Sequence, residues 1–142
     1  MEWIDNTVDN IVEHWDTANP FELCKNLRIK VVAVSKDYPL LLGNDSIYVH
    51  SLRTIYIRDD LPYRLQCFYI CHELGHALLH PNIFYMKKNL VNTGKQEKQA
   101  DYFAYSLLGF VLDEGEFYQV PITHISSIIG VPERVLKRLV NM

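Results

Sequence analysis

A single stretch, Cys67 to Pro81, constrains this chain more than any other. It reads CFYICHELGHALLHP and holds His72-Glu73-Leu74-Gly75-His76, an H-E-x-x-H with its two histidines four residues apart. On a helix that spacing puts both imidazoles about one turn apart on one face, where they can converge on a single Zn²⁺, with Glu73 beside the water such an ion binds. The helix can be read independently, from periodicity. At about 100° per residue, His72, His76, Tyr69, His80 and Glu73 share one side, while Ile70, Ala77, Cys67, Leu74, Leu78 and Cys71 share the other. Pro81 marks the end, because it lacks a backbone N–H and disfavours helical geometry in the residue before it. Gly75 costs about 1 kcal/mol relative to Ala inside a helix, which predicts close packing against another element there.

The same pattern would fit a surface helix with two solvated histidines. The apolar flanks Phe68, Tyr69, Ile70, Leu78 and Leu79 argue instead for burial, and buried His and Glu side chains are costly unless something satisfies them. A metal ion is the simplest such partner. A catalytic zinc needs a third protein ligand and one open position. His80 is excluded as that ligand, because eight residues of helix separate it from His72 by about 12 Å of rise. The better source is downstream, in Glu97-Lys98-Gln99-Ala100-Asp101-Tyr102-Phe103-Ala104. Glu97 and Asp101 are four apart on a second predicted helix, so both face the same way. Glu97 is the candidate ligand. Asp101 is the candidate acceptor for the free ring N–H of a ligand histidine, which would fix its tautomer and raise its basicity. An exposed helix face with an acidic pair is the alternative; Ala100, Phe103, Ala104, Leu107 and Leu108 weaken it, since they make this helix largely buried too.

The two motifs together, His72 to His80 and then Glu97 to Ala104, resemble the ImmA/IrrE family of gluzincin-like metallopeptidases, with its H-E-x-G-H-x-L-L-H helix followed by an E-x-E-A-[ND]-x-F-A helix. Gln99 stands in place of the second Glu, and Leu107-Leu108-Gly109-Phe110 in place of L-L-M-P, so the loop after the second helix is expected to be built differently. The likeness covers most of the chain, from Thr54-Ile55-Tyr56-Ile57 to the terminal helices. It implies an α+β, zincin-like single domain over residues 1–142. A small, mostly antiparallel sheet would pack on the active-site helix and a second ligand-bearing helix, with a terminal helical pair over 122–142 packed on them. It also implies a zinc metalloendopeptidase with His72, His76 and Glu97 on the metal, Glu73 as general base, and Asp101 and His80 behind the ligands. Family members carried by phages and integrated mobile elements cleave the helix-turn-helix repressor of their own element. The implied partner is therefore such a repressor, and the implied outcome is derepression. A competing reading is a non-catalytic, antitoxin-like binding protein that keeps zinc for stability; Glu73 argues against it, because a structural zinc needs no general base. A neutral peptidase of broad specificity is disfavoured, such enzymes being usually secreted.

The remaining sequence is consistent with that frame. A chain of 142 residues, 49% apolar, has material for one compact core. Net charge −3 and the lack of a basic run give no footprint for direct nucleic-acid binding. No 18-residue apolar run and no basic-then-apolar leader appear, so a cytoplasmic, membrane-free protein is expected. Three cysteines, Cys24, Cys67 and Cys71, suit a reducing compartment; the last two point away from the histidines on the wheel and read as small core residues. Ile4, Val8, Ile11, Val12 and Trp15 form a helical stripe, and Asn19-Pro20 reads as a cap opening a short helix to about Leu27. Ile29 to Val34 is expected to be a strand buried on both faces, followed by strands over Ser46 to His50 and Arg53 to Arg58 joined at Ser51-Leu52. Asp59-Asp60-Leu61-Pro62 is expected to cap the active-site helix. By resemblance, the strand beside that helix would offer its edge to a bound peptide. Residues between Pro81 and Gly94 read as a polar loop, and Leu112 to Gln119 as an acidic connection. The terminal patterns Ile122 to Ile129 and Pro132 to Asn141 look like a helix-turn-helix, but their apolar faces suit packing on the domain, and only Arg134, Lys137 and Arg138 are available for phosphates. The oxyanion donor stays open among Tyr85, Tyr102, Tyr105, His50, His80 and His124.

Overall fold

The computed structural model of the chain describes residues 1–81, 93–109 and 120–140. Lys87, Lys88, Asn89 and Asn92 of the expected loop, Tyr85, and the acidic connection with Asp113, Glu114 and Glu116 lie outside the described residues. The chain opens with α1, Glu2–Trp15, whose Ile4 and Val8 are buried while Ile11, Val12 and Trp15 pack against the core. Helix α2, Pro20–Asn26, starts as the Asn-Pro pair predicts: the Asn19 side-chain oxygen accepts from the amides of Phe21 and Glu22 at 2.9 and 3.2 Å. Such a cap is worth about 1 kcal/mol.

Three strands follow, β1 (Lys30–Val34), β2 (Ser46–Val49) and β3 (Thr54–Arg58), in the order β1-β3-β2. A 3₁₀ turn, His50–Leu52, joins β2 to β3, with Arg53 in the left-handed region at φ 44°, and the two strands pair antiparallel from Ser46↔Ile57 to Val49↔Thr54. β1 pairs with β3 in parallel, from Lys30↔Thr54 to Val34↔Arg58. The sheet expected to be mostly antiparallel is therefore mixed. The chain leaves β1, passes a 3₁₀ turn at Pro39–Leu41 and enters β2 two places away, leaving the centre for β3. This order also corrects the reading of β1 as buried on both faces. It is an edge strand with Lys30, Val32 and Ala33 exposed, and its β-branched composition reports strand preference rather than depth. The buried strand residues are Ser46, Ile47 and Tyr48 on β2 and Thr54, Ile55 and Ile57 on β3.

Helix α3, Tyr63–Leu79, is the axis of the molecule, with Phe68 and every residue from Ile70 to His76 buried. It stops at Leu79, two residues short of Pro81, as expected. The acidic pair before it does not cap it. Pro62 occupies the cap position without a side-chain hydrogen bond, and Asp60 instead takes a two-bonded contact from Arg58 at 2.8 and 2.7 Å, closing the end of β3. Helix α4, Thr93–Leu107, lies against α3 with Ala100, Phe103, Ala104 and Leu107 buried. The close approach predicted at Gly75 is there: a Cβ on it would stand 3.0 to 3.2 Å from the Phe103 side chain.

Two short helices complete the described residues, α5 (Ile122–Ile129) and α6 (Glu133–Val140). Between them Gly130, at φ 76°, presses against Arg64 at the start of α3, and a side chain there would collide with the Arg64 Cβ. Ile125, Ile129, Val131, Val135 and Leu136 are buried, so both helices turn apolar residues into the core, while Ile128 of the expected apolar face is exposed. All three cysteines are free thiols. Cys24 and Cys71 are buried, and burial pushes the Cys24 thiol up to about 12. Among the described residues no helix is long and apolar enough to cross a membrane.

Candidate active site

Where α3 crosses α4, His72, His76 and Glu97 meet, with one ligand-type atom of each within 4.8 Å of the others. Glu97 bridges the pair, its two oxygens 2.9 Å from His72 Nε2 and 3.1 Å from His76 Nε2. Around a tetrahedral ion with bonds of about 2.0–2.1 Å, ligand atoms stand about 3.3 Å apart, close to the two separations between Glu97 and the histidines. The histidine side chains are 4 to 5% exposed while that of Glu97 is 34% exposed, so the group is buried on the histidine side and open on the Glu97 side. Two imidazole nitrogens and a carboxylate with one side open fit a transition-metal ion with room for a further ligand.

Each histidine is held from behind through Nδ1, leaving Nε2 for the metal position. His72 Nδ1 donates to Asp101 Oδ1 at 2.8 Å, and Asp101 is fully buried. His76 Nδ1 faces His80 Nδ1 at 3.1 Å, and His80 Nε2 faces Gln99 Oε1 at 2.7 Å. Burial lowers the His80 pKa, so its ring is neutral at pH 7. With Gln99 accepting from His80 Nε2–H, the remaining His80 nitrogen can only accept, and His76 Nδ1–H is its donor. With Nδ1 turned to His80, Nε2 is the His76 nitrogen that faces Glu97.

Charge is concentrated here. Burial disfavours a charged His72, but the Asp101 and Glu97 carboxylates on its two nitrogens outweigh it and push its pKa up to about 10. Burial likewise works against ionised Glu97, yet hydrogen bonds from His72 and His76 hold it far below the usual carboxylate range. A metal cation takes the place of the Nε2 protons in such an arrangement.

Glu73 is buried next to the histidines, its Oε2 3.8 Å from His72 Nε2. Ser46 Oγ, at the start of β2, donates to that same oxygen at 2.8 Å. β2 thus lies against the site as one edge of the sheet.

The sequence reading missed three things. Ser46 carries no signal of its own, being one serine at a strand start. Gln99 stands out in sequence only as a departure from a pattern, and in the structure it is the acceptor behind His80. Arg134 and Arg138, read as the cations available for phosphates, both reach Asp101 Oδ2, at 3.2 and 2.9 Å, while Lys137 pairs with Glu133 at 2.9 Å. Of the open oxyanion donors, Tyr102 is engaged by Asp5 at 3.0 Å, His50 by Tyr48 at 3.1 Å, and His124 is exposed; Tyr105 packs against the core.

A helix-borne H-E-x-x-H met by a carboxylate from a second helix defines a metallopeptidase-like domain. The chain belongs to the ImmA/IrrE family: the peptidase M78 model, described as an IrrE N-terminal-like domain, matches residues 24–126, which take in all of α3 and α4 and end inside α5. The chain is also similar to the "Uncharacterized immunity region protein 2" of Bacillus phage phi105, at 28% identity over 136 residues, spanning 91% of this chain and 84% of that protein. No solved structure matches it significantly.

Proposed function

We propose that this chain is a zinc-dependent metalloendopeptidase that cleaves a partner protein at a specific site, the partner being the helix-turn-helix repressor of a phage or mobile element. The observation that carries the catalytic half is the convergence of His72, His76 and Glu97 within 4.8 Å beside the buried Glu73. Membership of a peptidase family and similarity to a protein named for a phage immunity region support the biological half.

In this reading His72 Nε2, His76 Nε2 and a Glu97 oxygen hold zinc. Bound there, zinc supplies Lewis acidity that makes a water acidic and polarises a peptide carbonyl. Glu73 takes the water's proton and delivers it to the leaving amine. Ser46 fixes the Glu73 carboxylate through Oε2, so that its position does not depend on substrate. Asp101 holds His72 in the tautomer with Nε2 free, and His80 does the same for His76. The edge of β2 offers backbone groups to an extended substrate segment. Reaction takes place in the cytoplasm of the host, where the repressor is.

Co-expression tests this. A candidate helix-turn-helix repressor is expressed with the wild type or with Glu73→Gln, and repressor fragments are followed by mass spectrometry. Discrete fragments with the wild type and none with Glu73→Gln are expected. Equal repressor loss of function with both, without fragments, would replace cleavage by sequestration.

A further inference from the structure

Arg134 and Arg138 stand four residues apart on α6, on one face of the helix. Both guanidinium groups reach the same oxygen, Asp101 Oδ2, while Asp101 Oδ1 takes the His72 Nδ1 proton at 2.8 Å. The Asp101 side chain is 1% exposed, but those of Arg134 and Arg138 are 52% and 32% exposed. Two surface side chains therefore reach inward to close a buried carboxylate. A carboxylate bound at one oxygen can still turn about its Cβ–Cγ bond. Bound at both, by charge-assisted hydrogen bonds, it turns only by breaking one of them, and the His72 ring inherits that restraint. The Tyr69 hydroxyl, three residues before His72 on α3, adds to the surroundings that raise the Arg134 pKa.

Anchoring α6 does not require these arginines. Val135 and Leu136 are fully buried and pack it on the core. What the arginines add is direction. They draw Oδ2 away from His72 and keep Oδ1 on the ring nitrogen. The family match ends at residue 126, so this clamp comes from beyond the matched segment.

We propose that Arg134 and Arg138 are positioning residues of the metal site: by clamping Asp101 they fix the His72 ring, so the terminal helix α6 sets how tightly the site holds its metal. This rests on the reading of His72, His76 and Glu97 as zinc ligands. The test uses the full chain as wild type, Arg134→Gln/Arg138→Gln, Arg134→Lys/Arg138→Lys, Asp101→Asn, and the Gln pair combined with Asp101→Asn. Zinc affinity is read by competition with a chromophoric chelator, the melting midpoint of the metal-free protein in parallel, and ligand geometry by the visible spectrum of the Co²⁺-substituted form.

The Gln pair is expected to weaken zinc roughly tenfold, the low end of the range for groups behind a ligand, and to alter the Co²⁺ spectrum. The Lys pair is expected to recover part of the loss, and removing the arginines from Asp101→Asn to cost nothing more. Zinc affinity within about twofold of wild type in the Gln pair, even with a lowered midpoint, would leave the arginines a packing role and overturn the proposal. So would a full further loss in the Asp101→Asn background. If the Gln pair does not fold, Arg138→Gln alone is read against the same two criteria. A wild type that takes up no zinc would sink the proposed function itself, whereas a zinc-loaded wild type with an indifferent Gln pair removes only this inference.

Discussion

The two histidines of the H-E-x-x-H are alike in sequence and unlike in what stands behind them. His72 leans on a buried carboxylate that two arginines hold in turn; His76 leans on a neutral imidazole that a neutral amide holds in turn. Both chains of contacts do one job, keeping a proton on Nδ1 so that Nε2 faces the metal position. They do it with different stiffness. Charge-assisted bonds to a carboxylate are roughly twice as strong as neutral ones, so His72 is the more firmly held ring and His76 the more adaptable one. Both supports come partly from α4, but only the one behind His72 extends to α6.

Breaking the charged side gives the largest effect. Asp101→Ala is expected to weaken zinc by roughly 10- to 100-fold, read by chelator competition, because it removes the acceptor and leaves two guanidinium groups without their carboxylate. A loss no greater than that of the corresponding change at His80 would erase the distinction between the two sides. Next is Gly130→Ala, which places a Cβ at φ 76° and against Arg64, unseating the turn that delivers α6. It is expected to cost about 2 kcal/mol or more, from roughly 1–2 kcal/mol of left-handed strain plus the collision, measured by denaturant unfolding of the metal-free protein. Stability equal to wild type would mean that the turn is held elsewhere. On the neutral side, His80→Ala is expected to weaken zinc by less than about tenfold, its contact being a neutral one. Smallest is Gln99→Glu, which puts a carboxylate behind His80 and makes the second side resemble the first. Tighter zinc, by about two- to threefold, is expected; weaker binding would show that neutrality there is required.

The sequence made this contrast only half visible. Spacing alone placed His72, His76 and Glu73 on one helix, and the buried flanks of the second motif located Glu97 and Asp101, because both relations are local and helical. The Gly75 contact with Phe103 was legible for the same reason, a glycine being unexpected in a helix interior. The misreadings lie where side chains from distant segments choose among partners. Asp60 had a helix start beside it and an arginine two residues away, and the arginine won. Arg134 and Arg138 had no marked partner in sequence, being 33 and 37 residues from Asp101. Likewise β1 has the composition of a central strand, and only the order β1-β3-β2 puts it at an edge.

His72, His76 and Glu97 are proposed to hold one ion between them. The most direct measurement is therefore the metal content of the purified chain beside His72→Ala and Glu97→Ala, by mass spectrometry of the native protein and by elemental analysis. About one zinc per wild-type chain, absent or strongly depleted in both variants while their folds persist, is the predicted result. Full zinc in Glu97→Ala would contradict it, since the third ligand would then lie elsewhere and the two helices would meet for another reason.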